Sequence, residues 1–117
     1  MEIGDAAFCL EKLGNPTRLD IVRLLVRAGP AGLAVGEVQR HLGIPGSTLS
    51  HHIQHLVHAG LVRQAREGRV LRCTPNLELL RALVDLLLAE CCAGLPEPAE
   101  DCPVAAPADG PVGSLAR

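Results

Sequence analysis

Two sets of side chains in this chain have the types and spacing to do chemistry, and they lie in different halves of it. The first is a polar run, Ser47-Thr48-Leu49-Ser50-His51-His52-Ile53-Gln54-His55. On a helix at about 100° per residue, Leu49, Ile53, Leu56 and Val57 fall on one side. Ser47, Thr48, His51, Gln54, His55 and His58 fall on the other. Hydroxyls, a carboxamide and imidazoles on one helix face can hydrogen-bond phosphates and base edges. The second set is thiol: Cys91, Cys92 and Cys102. Three thiolates with no obvious fourth ligand suit an ion that takes three sulfurs as a pyramid, as trivalent arsenic and antimony do. Structural zinc asks for four ligands.

Each set has a plainer reading. An amphipathic helix can simply be solvated on its polar face. His51 and His55, spaced i, i+4, could start a metal site, but that needs a third ligand. Cys91 continues an apolar stripe and can pack as a small hydrophobe; Cys92 and Cys102 could be incidental. Cys9, near the apolar face of the first helix, and Cys73, on a strand, read as structural. The chain has no Cys-x-x-Cys, no cysteine paired to a base in sequence and no phosphate loop. An enzyme and an organic cofactor are therefore not expected.

The elements that must position these groups favour nucleic acid for the first set. Val35, Val38 and Leu42 mark a short helix, Gly43-Ile44-Pro45-Gly46 a turn, and the polar run a second helix closed by Gly60. Two helices about a short glycine-containing turn form the unit that sets a helix into the major groove. After Gly60 the period changes. Two short extended runs about Glu67-Gly68 predict a β-hairpin carrying Arg63, Arg66, Arg69 and Arg72. A basic hairpin after a recognition helix is a wing, suited to phosphate contact. Upstream, the periodicity predicts a helix from Glu2 to Leu13 with Ile3, Ala6, Ala7, Leu10 and Leu13 on one stripe. Asn15-Pro16 opens a second helix to about Ala28, burying Leu19, Val22, Leu25 and Val26. Pro75-Asn76 opens a last helix, Leu77 to about Cys92, apolar over much of its circumference and so in need of a partner.

The predicted fold is mainly α with a β-hairpin wing. Residues 1–92 form a winged helix-turn-helix DNA-binding and dimerisation domain, and 93–117 a Pro-rich tail carrying Cys102. A single domain suits 117 residues. Phe8 is the sole aromatic residue, so the core must be aliphatic. The net charge of −2 hides an asymmetry. Residues 1–73 carry nine Lys/Arg against six Asp/Glu, a net +3, and residues 74–117 two against seven, a net −5. The basic part is the part assigned to DNA. There is no transmembrane run and no basic leader, and five cysteines do not suit a disulfide framework. A cytoplasmic protein with free thiols and no membrane partner is expected.

Asn15-Pro16-Thr17-Arg18-Leu19-Asp20-Ile21-Val22-Arg23-Leu24-Leu25, then Ser47 to Leu56, Ala59-Gly60-Leu61-Val62 and Arg66-Glu67-Gly68-Arg69 resemble, in order and spacing, the ArsR/SmtB winged-helix repressors. The resemblance covers about residues 5–92. It implies a homodimer paired through the first and last helices, bound to operator DNA until a metal or metalloid releases it. The family's arsenic- and cadmium-type site uses cysteines at the start of the third helix, where this chain has Ala34, Gly36 and Gln39. The zinc-type site uses His and carboxylates on the last helix, which here has no His and only Asp85 between Glu78 and Glu90. The expected inducer is therefore As(III) or Sb(III) on Cys91, Cys92 and Cys102. A thiol redox or persulfide switch, or Cd, Pb or Zn, is the alternative. The expected DNA contacts are Ser47, Thr48, Ser50, His51, Gln54, His55, Arg63, Arg66 and Arg69.

Overall fold

Asn15 sets the joint between α1 (Ile3–Leu13) and α2 (Pro16–Ala28). In the computed structural model, which describes residues 1–97, its side chain accepts from the backbone N–H of Thr17 at 2.9 Å and of Arg18 at 3.1 Å. This caps α2, and Pro16 sits in the first turn, where a missing N–H leaves nothing unpaired. A short strand β1 (Leu33–Ala34) leads directly into α3 (Val35–Leu42). The Glu37 carboxylate holds that entry by accepting from Ala34 N at 2.9 Å. Gly43, with φ 66°, ends α3 and α4 (Gly46–His58) follows. Then come β2 (Val62–Glu67), β3 (Val70–Pro75) and α5 (Leu77–Leu88).

The sheet is antiparallel in the order β1-β3-β2, with Leu33 and Gln64 both opposite Cys73. Gly32 makes the third strand possible. Its φ is 67°, and a Cβ there would overlap the Cys73 carbonyl; only glycine lets β1 approach β3 this closely. Asn76 ties the last helix to the rest. Its side chain donates to Gly60 O at 2.8 Å and accepts from Leu79 N at 3.2 Å.

The core is aliphatic, as the composition requires: Ile21, Leu25, Val38, Leu49, Ile53, Leu56, Leu61, Val62 and Cys73 are fully buried. Ala6 and Cys9 bring α1 onto this core, and Leu83 brings α5.

Four expectations change. The wing is a three-stranded sheet rather than a hairpin alone, because two residues of β1 are too few to show a period. The stripe on α2 is Ile21, Val22 and Leu25, while Leu19 and Val26 are exposed. On α1 the buried pair is Ala6 and Cys9, while Ile3, Ala7 and Leu10 are exposed; Val57 on α4 is at the surface as well. In each case the sequence offered more apolar positions than one neighbour can cover. Finally, the last helix ends at Leu88, not Cys92. Ala89 turns to extended backbone, and Glu90 and Cys92 both take positive φ, 63° and 62°. Among the described residues no helix is long and apolar enough to cross a membrane. Cys102 and most of the Pro-rich tail lie outside the described residues.

Candidate nucleic-acid interface and thiol turn

α4 buries Leu49, Ile53 and Leu56 and turns its polar face outward. Ser47, Thr48, Ser50, His51 and Gln54 are exposed and His55 is half-buried. The six sequence-predicted residues of the helix therefore share an accessible surface. A groove of about 530 Å³ runs along it, lined by Lys12, His51, Gln54, His55, Val57, His58 and Gln64. The groove lies between the recognition helix and β2, with the end of α1 as a further wall.

The wing arginines divide. Arg63 and Arg66 are both exposed, but strand alternation puts them on opposite faces of β2. Arg66 shares the face of Val62 and Gln64, the face that meets α4; Arg63 shares the outer face with Glu67. Arg69 is in the turn at the tip. On the outer face Glu67 accepts from Arg72 Nε at 2.9 Å, the one ion pair among the described residues. The wing's only carboxylate is thus engaged by Arg72, and Arg63, Arg66 and Arg69 keep their charge unpaired there.

Sequence reasoning missed the residues that hold the recognition helix from behind. Lys12 Nζ lies 3.2 Å from His55 Nδ1. Arg18 Nε donates to His52 Nδ1 at 3.2 Å, and its Nη1 donates to Lys12 O at 3.2 Å. Cys9 Sγ donates to Ala59 O at 3.6 Å, and Phe8 meets His58 edge-on with ring centroids 5.7 Å apart. Apart from Arg18 and Lys12, which are six residues apart, these partners are tens of residues apart, so no local pattern announces them. Both imidazoles titrate below the ordinary range. Burial is the first cause for each; Arg18 and His51 add to it for His52, and Arg18, Lys12, His51 and His52 for His55.

The cysteines separate by burial. Cys9 and Cys73 are buried. Burial raises both thiols above the ordinary value, helped at Cys9 by Asp5 and opposed at Cys73 by the hydrogen bond from Gln64. Cys91 and Cys92 are exposed in the turn after α5, and their Sγ atoms are 3.6 Å apart. On an intact helix adjacent side chains diverge by about 100°; the left-handed backbone at Cys92 removes that divergence. Among the described residues no three His, Cys, Asp or Glu side chains form a metal cluster. Cys102, the third thiol of the expected set, lies outside those residues.

The family described as "Helix-turn-helix domain" matches residues 13–65, from the end of α1 into β2. An uncharacterized HTH-type transcriptional regulator of Methanocaldococcus jannaschii is 38% identical over 63 residues, 54% of this chain and 68% of that protein. HlyU from Vibrio cholerae superposes with a TM-score of 0.63 at 30% identity, covering 79% of this chain and 99% of that one. A solved ArsR family transcriptional regulator gives a TM-score of 0.64 at 28% identity, over 77% of this chain and 89% of that one. The solved structure of a possible transcriptional regulator for arsenical resistance gives a TM-score of 0.57 at 31% identity, over 68% of this chain and 83% of that one.

Proposed function

The chain belongs to the ArsR family of DNA-binding helix-turn-helix transcriptional regulators, and we propose that it is a homodimeric repressor released from its operator by trivalent arsenic or antimony on Cys91, Cys92 and Cys102. The observation that carries the inducer is the Cys91–Cys92 pair, exposed and with its sulfurs 3.6 Å apart. Two thiols already face one space, and Cys102, the next cysteine in the sequence, would complete a pyramidal set. Arsenous acid would exchange its three hydroxyls for three thiolates, each thiol proton leaving with a hydroxyl as water. Soft sulfur ligands favour such thiophilic centres. The similarity to a possible arsenical-resistance regulator supports the same reading.

The dimer is supported by an apolar surface on the first and last helices. Ile3 is 72% exposed, Val84 54%, Leu87 64% and Leu88 63%. Val84 lines a groove of about 360 Å³ between α2 and α5, with Val26, Leu77 and Leu80. A second copy laid on it would bury what one subunit leaves in water. The thiol turn follows this helix directly, so gathering it around an ion acts on the surface that sets the two recognition helices apart. Coupling of this kind is typically about 1–3 kcal/mol, or about 5- to 150-fold in affinity.

The test is a titration of arsenite into reduced protein bound to a duplex that the wild-type chain has selected from a random-sequence pool. One arsenic per subunit and release of the duplex are expected. The protein carrying Cys91→Ser, Cys92→Ser and Cys102→Ser together should bind the duplex normally and ignore arsenite; normal release by that protein would remove the site. A second reading is favoured by the same short sulfur separation: two-electron oxidation of Cys91 and Cys92 by hydrogen peroxide, giving a disulfide and two waters. Release by peroxide with arsenite inert would select it.

A further inference from the structure

We propose that Lys12 and Arg18 are positioning residues for DNA reading, holding His55 and His52 as neutral Nε2–H tautomers so that His55 offers a fixed donor to the DNA backbone in the groove beside α4. The inference rests on the family's DNA binding and not on the identity of the inducer.

The tautomer follows from the donors. A lysine ammonium and an arginine Nε–H can only donate. Lys12 Nζ is 3.2 Å from His55 Nδ1, and Arg18 Nε is 3.2 Å from His52 Nδ1. Both Nδ1 atoms must therefore be unprotonated acceptors, which puts the proton of each neutral ring on Nε2. A second proton on either ring would point at a cation. Burial opposes it at both rings, with Arg18 and His51 adding at His52 and Arg18, Lys12, His51 and His52 at His55.

Arg18 makes this a single linked device. While its Nε holds His52 on α4, its Nη1 donates to the carbonyl of Lys12 at the end of α1. That bond fixes the turn of α1 from which Lys12 reaches His55. Lys12 also lies over the Phe8 ring, 5.2 Å from its centroid, and Phe8 meets His58. The ammonium is thus located from two sides. His55 itself lines the groove with His51, Gln54, His58 and Gln64, and its ring stands edge-on to His51 with centroids 4.6 Å apart. With Nδ1 engaged, Nε2–H is the group left for a ligand. A groove walled by donors on the polar side of a recognition helix and the inner face of a wing fits a phosphodiester oxygen.

The experiment compares affinities for a duplex selected by the wild-type chain, together with nitrogen-15 spectra of the imidazoles. The spectra should show His55 and His52 as Nε2–H tautomers in the wild type. Lys12→Met should release His55 into a tautomer mixture and weaken binding by about 2- to 10-fold, the range of one net hydrogen bond. Its log affinity against log salt should keep the wild-type slope, because Lys12 acts through His55 and not on a phosphate. Lys12→Arg should restore affinity. His55→Gln, whose amide can reach the Nε2 position, should bind better than His55→Asn, which supplies only the Nδ1 position. Arg18→Lys should release His52, since a single ammonium cannot reproduce the two-pronged contact. An Nδ1–H tautomer for His55 in the wild type, or wild-type affinity in Lys12→Met, overturns the inference. A slope lowered by about one in Lys12→Met also overturns it, by making Lys12 a direct phosphate contact. Failure of the wild type to select any duplex would instead remove the DNA-binding reading beneath it.

Discussion

α4 is held from several sides. Arg18 comes to it from α2, Lys12, Cys9 and Phe8 from α1, and Leu49, Ile53 and Leu56 lock its inner face into the core. The turn after α5 is built otherwise. Cys91 N donates to Leu88 O at 3.0 Å and Ala93 N to Glu90 O at 3.0 Å, so its backbone hydrogen bonds among the described residues are local. Its side chains are exposed. The difference suits two tasks. Reading a duplex requires donors fixed before the ligand arrives, because ordering them on binding would subtract from affinity. On the proposed function, capturing a small ion with thiols tolerates a segment that the ion itself arranges, and that rearrangement would be the signal. α5 joins the two regions, bonded at its start to the turn after α4 through Asn76 and Gly60 and leading to the thiols at its end.

The largest expected effect contrasts the two regions directly. Leu56→Ala, at a fully buried position on α4, should lower unfolding stability by about 2–5 kcal/mol. Leu88→Ala, beside the thiol turn and 63% exposed, should change it by less than about 0.5 kcal/mol in dilute protein. Urea denaturation at several protein concentrations checks both. A loss in Leu88→Ala that grows with concentration would measure the dimer contact. A large loss at every concentration would show the turn to be as firmly held as α4, and would end the contrast.

A smaller effect divides the wing. Arg66 lies on the face that meets α4, and Arg63 on the outer face with the Glu67–Arg72 pair. Arg66→Ala should lower the slope of log affinity against log salt by about 0.9, one phosphate contact. Arg63→Ala should leave the slope within error. The reverse result would place the duplex on the outer face and away from the groove.

The fold was legible because each element carried its own punctuation. Asn15-Pro16, Gly43, Gly60 and Asn76 mark helix ends where the structure has them, and Glu67-Gly68 sits at the hairpin turn. The outward residues of α4 were legible for the same reason: Leu49, Ile53 and Leu56 define one face by period alone. Lys12, Arg18, His52 and Gln64 were not, because their roles come from packing α1, α2 and β2 around α4. The thiol pair was legible as composition but not as geometry. An apolar period running through Cys91 argued for continued helix, and the positive φ of Glu90 and Cys92 has no signature in residues that ordinarily avoid it. Leu19, Val26, Leu10 and Ile3 show the matching limit, since an apolar period does not say whether its partner is this subunit or another.

The smallest effect is in the pH dependence, and it tests whether the fixed side of α4 is fixed as described. His52 and His55 both have folded-state pKa values below the ordinary 6.5. Below pH 6.5 the unfolded chain therefore takes up protons that the folded chain resists. Stability rises with pH wherever the unfolded state binds more protons, so it should fall as pH drops through 6.5. Cys9 and Cys73 act at the other end. Their folded values lie above the ordinary 9.0, so the unfolded thiols ionise first and stability is lost as pH rises past 9. Thermal unfolding of the reduced protein should show a plateau between these limits. Lys12→Met removes a cation facing His55, so it should make the acid-side fall shallower and leave the alkaline side unchanged. A melting temperature that rises between pH 7 and 5.5 would mean that the two imidazoles are stabilised as cations, and Lys12 and Arg18 could not then be donating to them.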